Sequence, residues 1–366
     1  MNAPVKIGCL ITQSKALSVL GTNVLDGMSF YFEQTGWQAG GRKITLVKED
    51  DEANPQLGLE KIKKMVENDK VDLVTGPIGS NVALAILAYV KQSGSILIVD
   101  GAGVNAVTRK HKGPNIFRTS TTSWQSNAPA GGWIYKNVAK EVVVVASDFS
   151  GGHEAINAFK EGFVSVGGTI VKEVYPPFNN NDYSAYLAGI KLIGAPNVYV
   201  YMVGADAVRF ITQFNEFGLK KTINIIGTGF MVEDDALPAE GDAALGIITG
   251  LHYASTLDTP VNKKFVADYK AKYNQYPGCY SEYGFVCARV IAEALKATQG
   301  DTSDKKKLED AIRNVKFAAP RGPFRFDPET QNVIHNIYIR EVVRGKDRLE
   351  NKVLATIPDV RDPGMS

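Results

Sequence analysis

The four histidines, His111, His153, His252 and His335, fall at no HExxH or HxH spacing, and no serine or cysteine sits in a motif that would make it their nucleophilic partner. No catalytic residue and no enzymatic activity is expected. Cys9, Cys279 and Cys287 form no CxxC pair, so neither a metal centre nor thiol redox exchange is implied. Asp50 and Asp51 are adjacent acids, but they end a predicted strand just ahead of a helix opening at Pro55, where negative charge suits the helix N-terminus. Gly227-Thr228-Gly229 lacks the dinucleotide fingerprint and no GxxxxGK[ST] occurs, which leaves no cofactor implied.

What remains is binding by backbone groups. Gly76-Pro77-Ile78-Gly79-Ser80-Asn81 follows a predicted strand and opens a predicted helix, with Ser80 or Asn81 as N-cap, so it offers unpaired N–H groups and a hydroxyl. Gly101-Ala102-Gly103 follows the next strand and leaves its amides open to close approach. Side by side, the two loops form an anion site suited to a carboxylate. Taken singly, each also reads as an ordinary cap or turn.

These loops need strands and helices to hold them, and the chain supplies both twice. Apolar strands at residues 5–12, 42–49, 71–76 and 96–100 alternate with helices at 23–35, 55–68 and 81–93. The rhythm restarts with strands at 142–147, 169–175, 198–203, 224–227 and 246–250, separated by helices at 154–166, 184–193 and 207–217. Such alternation predicts an α/β protein of two Rossmann-like lobes, each a parallel sheet covered on both faces. Two long helices, 261–273 and 283–298, follow with no strand between them, and the nearest uncovered sheet is the first lobe's. The expected lobes are therefore residues 4–120 plus 254–324 and residues 121–253 plus 325–362. They are joined by a three-stranded hinge at 119–123, 251–255 and 322–327, and residues 336–343 form an edge strand of the second lobe.

With 366 residues, 44% apolar and 22% charged side chains and a net charge of +2, the chain has a globular composition and room for two cores. Its densest basic run, Lys305 to Lys307, lies between Asp304 and Glu309 in a helical pattern, so nucleic acid is not an expected partner. No run approaches the roughly 18 apolar residues of a membrane span. Met-Asn-Ala-Pro directly before the first strand suits a mature chain whose leader has been removed, and a periplasmic location is expected.

The chain resembles the type I periplasmic binding proteins, in the branch of leucine, isoleucine and valine receptors of ABC transporters. The resemblance runs over nearly its whole length. It rests on the order and spacing of Lys6-Ile7-Gly8, Gly21, Asp26-Gly27-Met28, Asp50-Asp51 with Pro55, Gly76-Pro77, Gly79-Ser80, Gly101-Ala102 and Phe117-Arg118-Thr119. Asp182-Tyr183-Ser184, Gly218-Leu219, Gly241-Asp242-Ala243-Ala244 and Arg321-Gly322-Pro323-Phe324-Arg325-Phe326 continue it. It implies a monomer whose lobes close on a small ligand, with permease subunits as partners.

In that family Ser80 and the Ala102 amide match positions that hold the ligand carboxylate. Amino-acid receptors of the branch carry a hydroxyl at Gly103, tyrosines near Gly151 and near Gly204 or Ala205, and an acid near Gly229 to meet the ammonium. All are glycine or alanine here, and a buried ammonium with no acidic partner costs several kcal/mol. Leu17, Leu20, Trp124, Phe149, Phe230, Met231, Tyr253 and Tyr280, with Ser123 beside Trp124, supply a lining for a flat apolar body. An aromatic acid of benzoate or phenylpropenoid type is the expected ligand, and the chain resembles the subgroup that binds such acids. An amino-acid receptor and a ligand-sensor domain of the same fold stay open as alternatives.

Overall fold

The computed structural model describes residues 3–364, and the chain divides into two units. The N-terminal unit takes the chain up to Thr122, Tyr280–His335 and the tail from Arg361; the C-terminal unit takes Ser123–Cys279 and Asn336–Val360.

The N-terminal unit begins with β1 (Val5–Ile11), α1 (Ser18–Gln34), β2 (Gln38–Ala39) and β3 (Arg42–Asp50). It continues through α2 (Pro55–Lys63), β4 (Leu73–Thr75), α3 (Ser80–Ser93), β5 (Leu97–Val99) and β6 (Ile116–Arg118). Sequence punctuation sets the boundaries. At α2, for instance, Pro55 takes the first turn and the Asn54 side chain accepts from the Gln56 and Leu57 amides (2.9 and 3.1 Å). The sheet order is β2-β3-β1-β4-β5-β6, parallel from β3 onward. Counted along the chain, the parallel strands run 2-1-3-4-5, so their order reverses between β1 and β4. That is where open α/β sheets bind ligands. The core on one face joins Leu10, Val74, Leu97 and Val99 to Val82, Ile86 and Val90 of α3.

The C-terminal unit repeats the plan with α4 (Ser123–Asn137), β7 (Glu141–Ala146), α5 (Ser150–Val164), β8 (Thr169–Val174), α6 (Ser184–Ile193) and β9 (Asn197–Tyr201). Then come α7 (Ala205–Glu216), β10 (Asn224–Thr228), α8 (Leu237–Glu240), β11 (Ile248–Leu251) and α9 (Pro260–Tyr273). Strands β8-β7-β9-β10-β11 are parallel, and their order reverses between β7 and β9. Val143, Val145, Val198 and Val200 of the sheet pack on Leu187 of α6 and on Phe210 and Phe214 of α7.

The chain then runs through α10 (Cys279–Ala297), α11 (Lys305–Arg313), β12 (Lys316–Ala319), β13 (Gly322–Phe326), β14 (Val333–Arg344) and β15 (Leu349–Val360). Of the two long helices expected on the first lobe, only α10 packs there. A Cβ on Gly27 would meet the Ser281 carbonyl oxygen at 1.9 Å, and one on Gly284 would meet that of Val24 at 1.9 Å, so bare backbones bring α1 and α10 together. Residues 254–279, by contrast, stay with the C-terminal unit. Phe265 of α9 meets Tyr253 edge-on at 6.4 Å, and the Cys279 amide donates to Glu233 Oε2 at 2.5 Å.

The crossing expected at residues 251–255 thus falls at Cys279–Tyr280. The one expected at 322–327 falls inside β14, because β13 pairs with β12 and with Val333–Ile334. The first crossing falls at Thr122–Ser123. Nor is β14 an edge strand: it pairs with β11 on one side and β15 on the other. A fourth crossing, at Val360–Arg361, takes the tail back. There the Asp362 carboxylate accepts from Arg109 Nε and Nη2 (2.8 and 3.1 Å) and from the Thr122 hydroxyl (2.7 Å). Among the described residues no helix is long and apolar enough to cross a membrane.

Candidate functional site

In the N-terminal unit the carboxyl ends of β1, β4 and β5 stand side by side, and the two small-residue loops meet there. The Ala102 N–H donates to Pro77 O at 2.8 Å, and the Gly101 Cα lies against Ile78, where a Cβ would come within 2.6 Å of Ile78 Cδ1. Gly76 has φ +101 and its added Cβ would lie 1.9 Å from Leu10 O, so only glycine turns the chain here. The cap of α3 is Gly79, with no side-chain bond, rather than Ser80 or Asn81. Asn81 instead turns to the loop before α2, donating to Ala53 O (2.9 Å) and accepting from the Val82 amide (2.9 Å). The Ala83 amide goes to Gly79 O. The Ser80 and Asn81 amides and the half-buried Ser80 hydroxyl keep no partner among the described residues, which leaves the start of α3 with donors to offer an anion.

One expected donor is spent. The Ala102 amide, matched to carboxylate binding by the resemblance, is committed to Pro77, and the Ala102 carbonyl accepts from Arg118 and from the Ser120 hydroxyl (3.1 Å). Arg118, fully buried, also donates to Val104 O (2.6 Å) and clamps this loop from below. Gly103 stays half-exposed. Leu17 and Leu20, buried at the start of α1, lie beyond the β1 end, and Tyr280 opens α10 with its ring edge-on to Tyr283 (5.7 Å).

In the C-terminal unit the reversal between β7 and β9 carries an aromatic group. Phe149 lies 5.0 Å from Phe178 and 6.4 Å from Tyr201, and Tyr201 meets Phe230 edge-on at 6.5 Å. Phe149, Phe178 and Phe230 are half-exposed and Tyr201 nearly buried. Burial pushes the Tyr201 hydroxyl above its ordinary range, and Glu154 adds to this, so it stays a neutral donor. Gly204 caps α7 beside Tyr201 with φ +57. Phe178 and Tyr201 were not expected: Tyr201 ends an apolar run that reads as core, and Phe178 lies in a loop with no periodicity.

Two of the glycines that stand in for the receptors' polar groups lie against large side chains. A Cβ on Gly151 would meet the Phe149 ring at 2.6 Å, so that ring already covers it. At Gly229 the space belongs to Leu251 and to Arg340, whose Nη2 would lie 2.5 Å from an added Cβ. Arg340 is fully buried and donates to Gly229 O (2.9 Å) and Tyr253 O (2.6 Å), with Glu233 Oε1 at 2.9 Å. Burial first, then Asp234 and Asp235, push the Glu233 carboxyl up to about 7, against the pull of Arg340.

Trp124 and Tyr253 each have a contact of their own. The Trp124 indole donates to Glu161 (2.8 Å), eleven residues along α5 from Ser150, or roughly 16 Å at 1.5 Å per residue. Tyr253 is fully buried against Phe265 of α9. Ser123 is buried at the start of α4, where its carbonyl accepts from Asn127. Among the described residues no cluster of His, Cys, Asp or Glu is placed to hold a metal ion.

Residues 4–347 match the model of the periplasmic binding protein family. A Leu/Ile/Val-binding protein homolog of Brucella melitensis biotype 1 is 30% identical over 99% of this chain and 93% of its own. An ABC transporter solute-binding protein of Rhodopseudomonas palustris BisB5, solved with 3,4-dihydroxybenzoic acid, is 34% identical with a TM-score of 0.94 over 99% of each chain. Another from R. palustris, solved with benzoate, is 31% identical with a TM-score of 0.94 and the same coverage.

Proposed function

The chain belongs to the periplasmic binding protein family of ABC transporters, and from that premise we propose that it delivers a small aromatic carboxylate to an importer from the periplasm. Binding proteins of such transporters take small molecules and meet permease subunits; the finer reading concerns what this one takes. In the N-terminal unit the free amides and hydroxyl at the start of α3 suit an acid group, and in the C-terminal unit the aromatic group suits a ring. Permease subunits are the partners, and the protein acts as a monomer.

The observation that carries the reading is Arg340. Where amino-acid receptors of this branch place an acid for the ammonium, this chain places a buried guanidinium. A desolvated ammonium near it meets repulsion, and the acid beside it, Glu233, is already paired with Arg340, whereas a benzoate has nothing to neutralise at its ring end. Phe149, Phe178, Tyr201 and Phe230 offer edge and face contacts of the kind a flat ring prefers. The relatives solved with benzoate and 3,4-dihydroxybenzoic acid support this, while the name of the Brucella relative favours an aliphatic amino acid.

A thermal-shift series separates the two. A ligand that binds only the folded protein raises the midpoint by mass action, by about 2.7 kcal/mol of stability at a hundred times its dissociation constant. Benzoate and its hydroxylated forms are expected to raise the midpoint and leucine to leave it in place. A shift with leucine, isoleucine or valine alone would reverse the assignment.

A further inference from the structure

Asp100 is the residue between β5 and the Gly101–Gly103 loop. It is fully buried, and among the described residues neither carboxyl oxygen makes a hydrogen bond of ordinary length and angle, the Cys287 thiol and the Asp100 and Gly76 amides being the donors that face it. A buried acid left this way is costly, and folded proteins keep few. Its place is specific: the Gly76 amide, at the root of the other loop, and the Cys287 thiol of α10 face it, while the loop after it is tied to Pro77 through the Ala102 amide. Asp100 thus sits at the root of both loops, and an anion seated on them brings negative charge toward it.

Resting on the carboxylate reading above, we propose that Asp100 is a proton-linked positioning residue, taking up a proton when the anion binds. An ionised Asp100 would repel the incoming carboxylate across a poorly screened interior, and a neutral one would not. Burial, the leading cause, pushes the Asp100 carboxyl up to about 7, against the pull of Cys287 and of the Asp100 and Gly76 backbone, so the group is divided between its two forms near neutrality.

The groups around it do not change charge there. Burial pushes Cys9 of β1 up to about 12 and Cys287 well above the usual thiol range, so both stay thiols. Thr75 of β4 and Thr119 beyond β6 reach the same two thiols, and Lys48 of β3 acts on Cys9. Arg118 of β6 is committed to the Ala102 and Val104 carbonyls. The second acid near the loops, Asp51 after β3, is held by the Thr12 hydroxyl (2.6 Å) and the Ala53 amide (2.8 Å); burial raises it as well.

The test is calorimetric titration with benzoate, which is ionised throughout, from about pH 6 to about pH 8.5 in two buffers of different ionisation enthalpy. Affinity is expected to fall roughly three- to thirty-fold as pH rises, with up to one proton taken up per benzoate near pH 7. Asp100→Asn should bind with little pH dependence and no uptake, and Asp51→Asn should behave as the unaltered protein. A pH-independent affinity in the unaltered protein overturns the inference, as does a folded Asp100→Asn that keeps the full dependence. Should Asp100→Asn fail to fold, the proton count of the unaltered protein decides. Benzoate that binds without uptake sinks only the role of Asp100, whereas failure of every aromatic acid to bind sinks the carboxylate reading and this inference with it.

Discussion

Ser80 presents its hydroxyl and amide at the first position of α3 with no partner among the described residues. Ser80→Ala is expected to weaken benzoate binding by about 1.5–3 kcal/mol, the range for a hydrogen bond to a charged oxygen. Calorimetry reads this, and the melting midpoint without ligand should hardly move. Trp124→Phe is expected to do the reverse: unchanged affinity, but about 1 kcal/mol less stability in urea, because its indole is engaged by Glu161. The contrast marks what could be read from residues alone. Glycines after strand ends announce a tight anion loop, since few other residues turn the chain there. That Arg340 fills the space at Gly229, or that Phe149 folds over Gly151, depends on side chains brought in by the fold, and a glycine in sequence does not say who its neighbour is.

At the scale of elements, the alternation of strand and helix predicted both sheets and the strand ends that carry the loops. It could not decide which sheet a strandless helix covers, and so α9 was expected in the wrong unit; its Phe265 faces Tyr253 of the same unit instead. Strand β15 escaped notice because polar Asn351 takes a buried position and apolar Leu354 an exposed one, and because its pairing with β14 is what makes it a strand. The tail beyond it is held by a carboxylate that no pattern marks. Asp362→Ala would leave the mostly buried Arg109 without its counter-charge and the Thr122 hydroxyl without its acceptor. The expected cost is roughly 2–4 kcal/mol, read as a lower urea midpoint at unchanged slope.

For the whole molecule, the buried acids set the response to pH. Burial pushes Asp100 and Glu233 up to about 7 and Glu240, with Asp235 and Glu233 adding to the effect, up to about 9. Their folded values lie above the ordinary carboxyl range, so between the two the folded state holds more protons than the unfolded one, and stability falls as pH rises. The melting midpoint is expected to be higher near pH 5.5 than near pH 9. Glu240, whose oxygens have no partner among the described residues, should contribute most to the alkaline side: Glu240→Gln is expected to gain stability relative to the unaltered protein at pH 9 and to gain less at pH 6, the advantage fading only as pH falls to the ordinary carboxyl range.

The returning tail also governs how the protein can be instrumented. Since Ala3 and Gly364 both belong to the N-terminal unit, a donor and acceptor dye fused to the two extremities would ride on one body and stay silent to any rearrangement of the other. A working optical reporter needs its second fluorophore inserted mid-chain, for example at Leu192, 88% exposed at the close of α6.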